Sequence, residues 1–369
     1  MRILLVGGGT GGHFYPLIAI AEGLRQKNAD TSMELYYMGP SPYDSKELDR
    51  MNIKFAYCPA GRQRKYFSVL NWVDKVLVLA GLLVAIVKLF IIYPDVVMSK
   101  GSFTSVPVVL AAGFLRIPVV IHESDSVPGT ANKIGARIAR YIAISYDTVS
   151  DYFPADKVAL TGIPIRESVL KKIDPFSVLN INPSKPVIFV TGGSTGAATL
   201  NTLVLDSLDE LLPSYIVIHQ VGERNLPAVK ETALARGLDE TLLANYYVLG
   251  KMTAEEMNAA QRLASLIVSR AGSTSIFETA LKGKPSVLLP IPQNISHDQR
   301  KNAYTYAATG AATVIEEENI ADGVLYAEIQ RIMCDQEIYN NMRQAALGFT
   351  TSDSAVKLAD ILLNISLEH

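Results

Sequence analysis

The sequence predicts an α/β protein of two doubly wound domains, each a parallel sheet covered by helices on both faces. Three observations predict this. Short apolar runs alternate with longer amphipathic stretches from end to end, as strands joined by crossover helices do. The pattern runs through twice, and each pass opens with a strand and a glycine-rich turn, Gly7-Gly8-Gly9-Thr10-Gly11-Gly12 and Gly192-Gly193-Ser194-Thr195-Gly196. A chain of 369 residues is also longer than one hydrophobic core ordinarily serves.

In the first pass, strands are predicted at Arg2–Val6, Met33–Met38, Lys54–Tyr57, Asp95–Met98, Pro118–Ile121 and Tyr141–Ile144. In the second they are predicted at Val187–Thr191, Tyr215–His219, Tyr246–Leu249, Ser265–Val268, Ser286–Leu289 and Ala312–Ile315. Helical periodicity marks Leu17–Lys27, Ala197–Leu212, Thr274–Lys282 and Asp298–Ala308. Between the passes, Gly162 to Lys185 is poor in strands and holds Pro164, Pro175 and Pro183, which predicts a linker. Ligands of doubly wound sheets bind beyond the carboxyl ends of the strands. Two such domains therefore predict a site in the cleft between them.

Composition excludes several classes. With 49% apolar and 19% charged residues the chain is neither disordered nor fibrous. A net charge of −2 gives no general reason for nucleic acid as a partner. Cys58 and Cys334 stand far apart, which argues against a disulfide framework or structural zinc and fits a reducing cytoplasm. No secretory signal is read, because Arg2–Val6 runs straight into the first glycine loop.

Gly7-x-Gly9-x-x-Gly12 satisfies the dinucleotide fingerprint, but the second strand ends Tyr36-Tyr37-Met38-Gly39, without the carboxylate that would hold a ribose. The loop also runs into His13, an unusual neighbour for a cofactor turn, so a dehydrogenase is set aside. Taken alone, these glycines would equally serve a tight turn. Gly192-Gly193-Ser194 follows an apolar strand and opens a helix, where backbone N–H groups suit an anion such as a diphosphate.

Six ordered blocks make the sequence specific: Gly7–His13, His122-Glu123, Thr161-Gly162-x-Pro164-x-Arg166, Gly192-Gly193-Ser194, Ser269-Arg270-Ala271-Gly272 with Glu278, and Gln299-x-x-Asn302-Ala303. Together they resemble the MurG family, which adds N-acetylglucosamine to lipid I in peptidoglycan synthesis, and they span nearly the whole chain. The resemblance implies the GT-B fold, two Rossmann-like domains facing across a cleft. It places an acceptor and membrane-side domain at 1–163, a UDP-sugar domain at 164–346, and a helix at 347–366 returning to the first. It implies an inverting transfer from UDP-N-acetylglucosamine to the 4-hydroxyl of the lipid I N-acetylmuramyl group, giving lipid II and UDP, with no cofactor and no metal on the diphosphate. No Asp-x-Asp motif occurs, and the His and Cys residues do not cluster as ligands.

Inverting transfer needs a base for the acceptor hydroxyl. His13 is the candidate because imidazole titrates near neutral pH; Glu123 and Asp125 would orient it, bind the acceptor, or act as base themselves. The departing UDP needs fixed donors, assigned to Arg166, Gly193, Ser194 and Ser275, with Thr10, Gly11 and Gly12 also on the donor. By resemblance Glu278 accepts from the ribose hydroxyls, Ser273 and Thr274 line the sugar and nucleotide, and Asp298 and Gln299 lie at the sugar. His219 is read as a satisfied core residue, and His122 as shaping the turn that carries Glu123. Departures from the family pattern fall at Ser124, Asp125, Ile163, Thr195, Asp298 and the segment Lys100-Gly101-Ser102-Phe103, which replaces a more glycine-rich turn.

Val76 to Val87 is uncharged and apolar, and the run continues past Lys88 to Tyr93, nearly long enough to span a bilayer. A span there would part the strands on either side of it, which belong to one sheet. Its approach, Arg62, Arg64, Lys65 and Phe67 followed by Trp72, mixes positive charge with aromatics as an anionic membrane surface requires. The reading is a peripheral enzyme at the cytoplasmic face of the membrane, with a buried core helix as the alternative. Other readings of the whole chain are a glycolipid synthase, a UDP-sugar epimerase, or a non-catalytic protein that binds sugar nucleotides.

Overall fold

A computed structural model of the chain describes residues 1–28, 32–61, 70–193, 196–292 and 297–368. It divides into two compact units, Met1–Glu167 with Ser352 onward, and Ser168–Thr351.

The first unit is built on strands β1 (Arg2–Val6), β2 (Glu34–Gly39), β3 (Ile53–Tyr57), β4 (Val96–Ser99), β5 (Val119–Glu123), β6 (Tyr141–Ile144) and β7 (Val158–Leu160). They form one parallel sheet in the order β3-β2-β1-β4-β5-β6-β7. The order reverses at β1, so the loops after β1 and β4 flank the switch point where such sheets bind ligands. Six of these strands match the predicted apolar runs. The edge strand β7 was not predicted, since three half-exposed residues carry too little periodicity to read.

The helix after β1 spans Gly11–Lys27 and so starts well before the predicted Leu17. Two glycines at its start and Pro16 inside it hide the helical pattern. The last helix, Ser354–Glu368, packs on it, with Leu358, Ala359, Leu362 and Ile365 completing a core that includes Leu17, Ile20 and Leu24.

The apolar run forms the helix Leu70–Ile92. Its Gly81, Ala85 and Leu89 are buried where it packs on the helix Val106–Phe114. Leu79, Leu83, Val87 and Phe90 lie on the open face, and Phe90 is 72% exposed. Among the described residues no helix is long and apolar enough to cross a membrane.

In the second unit, β8 (Val187–Thr191), β9 (Ile216–Gln220), β10 (Tyr246–Leu249), β11 (Leu266–Ser269), β12 (Ser286–Leu288) and β13 (Ala312–Val314) pair in parallel in the order β10-β9-β8-β11-β12-β13. One face is covered by Leu200, Val204, Leu325 and Ile329, the other by Ile181, Met252 and Ala260. The predicted helix Ala197–Leu212 is broken into Ala198–Asp206 and Leu208–Leu211. At the break, the Ser207 hydroxyl donates to the Leu203 carbonyl at 2.9 Å, a local bond that competes with helix continuation. The predicted linker holds the short helices Glu167–Leu170 and Pro175–Leu179. Its first carbonyls, from Ser168 to Lys171, are anchored by donors from Asn258, Arg262 and Lys282.

Candidate active site

In the first unit the strand register builds the site. β1 and β4 pair through Val6 and Ser99, and β4 and β5 pair through Ser99 and Ile121. Continuing that register sets Gly7 and Lys100, just beyond their strand ends, beside His122 near the end of β5. A Cβ on Gly7 would lie 2.8 Å from Lys100 Cβ, so the loop passes there only as glycine. The Tyr37 hydroxyl donates to the Gly7 carbonyl at 2.7 Å and fixes the start of the loop.

Thr10 occupies the N-cap position of Gly11–Lys27, yet its side chain caps no backbone N–H. Its hydroxyl lies 2.8 Å from His13 Nδ1 instead. With Nδ1–H donating to Thr10, Nε2 keeps the free lone pair, the arrangement a base acting through Nε2 requires. Gly11, Gly12 and His13 form the first turn of this helix, which contains no acidic residue. The His13 ring is partly exposed, but dense surroundings and the Lys100 ammonium lower its pKa to about 4, against an opposing pull from Asp125.

Glu123 ends β5 in a buried position, and its carboxylate accepts from Asp125 N, Gly129 N and Asn132 Nδ2 at 3.0, 2.9 and 2.9 Å. Those bonds close the loop that presents Asp125. Burial and the neighbouring Asp125 raise the Glu123 pKa, while the three donors oppose them. His122 Nε2 meets the Gly162 carbonyl at 2.9 Å, which ties the β5 end to the turn preceding Arg166. Arg166 lies over the Tyr15 ring, guanidinium carbon to centroid 3.9 Å, on the helix that carries His13. The first unit thus brings His13 near Asp125, whose loop Glu123 organises, and sets Arg166 on the Tyr15 ring that packs against Gly11 of the glycine loop.

Sequence reasoning met Lys100 only as the start of a segment that departs from the family pattern and gave it no role, yet it is 1% exposed beside this group. The available signal was a lone cation closing the apolar run Val96-Val97-Met98-Ser99.

In the second unit the switch point lies between β8 and β11. After β8, Gly193 N donates to the Thr191 hydroxyl at 3.2 Å, and a Cβ on Gly193 would meet nothing within 4 Å. Gly196 turns the chain into the next helix at φ +74, where a Cβ would strike the Val221 carbonyl oxygen at 2.0 Å. That helix, Ala198–Asp206, has no side-chain cap and no acid in its first turn. The same holds for Ser273–Leu281 after β11, whose N-cap is Gly272. Both N-termini favour an anion. Ser273 is buried at this start, while Thr274 and Ser275 are partly exposed.

Glu278 lies half-buried about one and a half turns along, and its Oε2 accepts from Gln261 Nε2 at 3.2 Å. Gln299, beside Asp298 on the helix His297–Ala307, accepts from Ile291 N at 3.3 Å through Oε1. Arg270 joins two strand ends, donating to the Leu289 carbonyl and pairing with Glu317 at 2.6 Å. Ser194, Arg62, Arg64, Lys65 and Phe67 lie outside the described residues, as does the Trp72 side chain.

His219 sits in the core as expected, its ring nitrogens meeting Tyr246 Oη at 2.8 Å and Asn201 Oδ1 at 3.1 Å. Burial lowers its pKa from 6.5 to about 3. A folded-state pKa below the unfolded one means the unfolded chain protonates first as pH falls. Stability contributed by neutral His219 is complete above pH 6.5 and is lost progressively down to about pH 3. His13 and His122 shift the same way. The urea midpoint should therefore fall between about pH 7 and pH 5. A flat profile over that range would show that these rings are protonated in the fold without penalty.

Comparison with known proteins bears on this geometry. Residues 3–144 match the glycosyltransferase family 28 N-terminal domain, and residues 187–358 match its C-terminal domain. A relative from Treponema denticola is 34% identical over 98% of this chain and 96% of its own length. One from Lachnospira eligens is 36% identical over 92% of each chain. Both are named UDP-N-acetylglucosamine--N-acetylmuramyl-(pentapeptide) pyrophosphoryl-undecaprenol N-acetylglucosamine transferase. The chain belongs to the MurG family. Among solved structures, Acinetobacter baumannii MurG is 24% identical with a TM-score of 0.75, covering 98% of this chain and 99% of its own. A UDP-GlcNAc 2-epimerase from Neisseria meningitidis is 14% identical with a TM-score of 0.69, covering all of both chains. Both likenesses show the fold alone, and it is the two-domain GT-B fold the MurG family uses.

Proposed function

We propose that the chain transfers N-acetylglucosamine from UDP-N-acetylglucosamine to the 4-hydroxyl of the lipid I N-acetylmuramyl group, forming lipid II and UDP for peptidoglycan synthesis and cell wall biogenesis. The observation that carries this is the identity to transferases of that name over nearly the full chain. A cell wall step of this kind underlies cell shape and division. The acceptor oxygen forms the bond to the anomeric carbon as the bond to UDP breaks. His13 Nε2 takes the hydroxyl proton, and UDP leaves with the electron pair. In the second unit, the helix starts after β8 and β11 and Ser275 stabilise the charge on UDP. Glu278 holds the ribose.

No cofactor or donor-bound metal is proposed. The sequence supports this in holding no Asp-x-Asp motif. Mass-spectrometric product analysis with UDP-N-acetylglucosamine and a short-chain lipid I analogue tests both points. A β-linked disaccharide lipid should form equally with and without EDTA. Epimerised sugar nucleotide with no acceptor product would overturn the transfer, and loss of turnover in EDTA would overturn the metal-free reading.

The enzyme works at the membrane surface as a peripheral protein, with anionic lipid rather than nucleic acid as its large-scale partner. Support comes from the open face of Leu70–Ile92, where Val76, Leu79, Leu83, Val87 and Phe90 form one exposed apolar stripe. At the end of the helix Val106–Phe114, on which Leu70–Ile92 packs, a hollow of about 450 Å³ is lined by Phe114, Ile117 and Ile138 together with Arg116 and Arg140. An apolar face edged by guanidinium groups suits acyl chains under anionic headgroups. The chain should float with anionic liposomes and not with neutral ones. Replacing Leu83 and Phe90 by serine should abolish flotation, and unchanged flotation would move the contact elsewhere.

A further inference from the structure

Four strand ends of the second unit are joined at Arg270. It directly follows β11, and its backbone N donates to the Thr191 carbonyl at the end of β8 at 3.4 Å. Its Nη1 donates to the Leu289 and Pro290 carbonyls beyond β12, at 3.1 and 3.4 Å. Its Nη2 pairs with Glu317 Oε1 beyond β13 at 2.6 Å. These two side chains are 12% and 18% exposed, so water screens the pair little and losing either partner strands the other.

Both loops that Arg270 holds lead to Gln299. From the β12 side, Ile291 N donates to Gln299 Oε1 at 3.3 Å. A backbone N–H can only donate, so it fixes which end of the amide turns to the loop and leaves Nε2 as the donor for a ligand. From the β13 side, Glu316 accepts from Arg300 Nε at 2.8 Å and from the Tyr304 hydroxyl, both on the helix that bears Gln299. Arg300 is partly exposed, so this outer bond steers the helix weakly, and the firm attachment is the inner one at Arg270.

We propose that Arg270, through its pair with Glu317, is a positioning residue for the donor sugar: it holds the loop after β12 and so sets the Gln299 amide. The proposal rests on Gln299 meeting that sugar. Shape matters here as much as charge. A planar guanidinium serves a carbonyl and a carboxylate at once with its N–H groups at fixed angles, and an ammonium has no such fork. The nucleotide is separable from this device. The helix start at Gly272 offers an anion its backbone N–H groups, and these do not depend on the guanidinium. Arg270 therefore governs affinity for the sugar and not for the UDP that carries it.

The test is calorimetric titration of the full chain with UDP and with UDP-N-acetylglucosamine. In Arg270→Lys and in Glu317→Gln, the sugar nucleotide should bind about tenfold more weakly, the worth of one well-placed hydrogen bond, while UDP binds as before. Gln299→Ala should show the same split, and adding it to Arg270→Lys should cost little more, because both act on one contact. Equal losses for both nucleotides in the Arg270 and Glu317 variants would overturn the proposal, by making the pair a support of the whole sheet end. Wild-type binding of both in Arg270→Lys would overturn it as well, since charge alone would then suffice. A split in Gln299→Ala with none in the other two would sink the role of Arg270 and keep the reading of Gln299. Wild-type binding of both nucleotides in Gln299→Ala would remove that reading, and the proposal with it. Should Arg270→Lys fail to fold, Glu317→Gln, which keeps the shape of the partner, decides.

Discussion

His13→Ala is expected to lower kcat by about 10²- to 10⁴-fold, the range lost when a positioned general base is removed. Binding of UDP should survive, because the groups assigned to the nucleotide lie mainly in the second unit, on residues His13 does not touch. The side chain makes one resolved hydrogen bond, to the Thr10 hydroxyl at 2.8 Å, and it is partly exposed. Its removal therefore leaves no large cavity and frees Thr10 to cap the helix it precedes. Stability should hold or rise slightly, which separates this variant from one that merely unfolds. Asp125→Asn provides the contrast. Asp125 raises the His13 pKa, so removing its charge should move the acid limb of kcat to lower pH without abolishing turnover. Near-normal turnover in His13→Ala, or collapse in Asp125→Asn alone, would transfer the base role to the carboxylate.

How much of this was legible in the sequence follows from the range of the forces involved. Strands such as Val187–Thr191 are buried on both faces of a parallel sheet, so each reads as an unbroken apolar run. The two glycine turns read directly, since few other residues can follow such strands with so little space. Elements fixed by one local bond did not read: the break at Ser207 depends on a single hydroxyl and the Leu203 carbonyl. The helix Leu70–Ile92 showed no periodicity, because apolar residues fill both its packed and its exposed faces, and only packing on Val106–Phe114 tells them apart. Glu123 was legible as a functional carboxylate but not as the residue that closes its own loop, since Gly129 and Asn132 reach it only once that loop is folded. Lys100 read least of all. Lysine is among the residues least often buried, and nothing local says that this one lies beneath a glycine loop.

Glu278→Ala should weaken UDP affinity by about a hundredfold or more, the loss expected when two hydroxyls give up hydrogen bonds to one charged acceptor with a net worth of about 1.5 kcal/mol or more each. The carboxylate is suited to this by position. It is half-buried, and Oε2 is steadied by Gln261 Nε2 at 3.2 Å. It also lies on the helix whose uncapped start after β11 is the anion-favouring N-terminus. Glu278→Gln tests charge apart from shape, because an amide keeps one acceptor but turns a donor toward hydroxyls that must themselves donate. It should recover only part of the affinity. Gln261→Ala should cost less than either, since it loosens the carboxylate without removing it. A nucleotide lacking both ribose hydroxyls should bind wild type and Glu278→Ala alike. If it instead remains sensitive to Glu278, the residue acts on the fold of the second unit rather than on the ribose, and the donor assignment must pass to Ser273, Thr274 or Gln299.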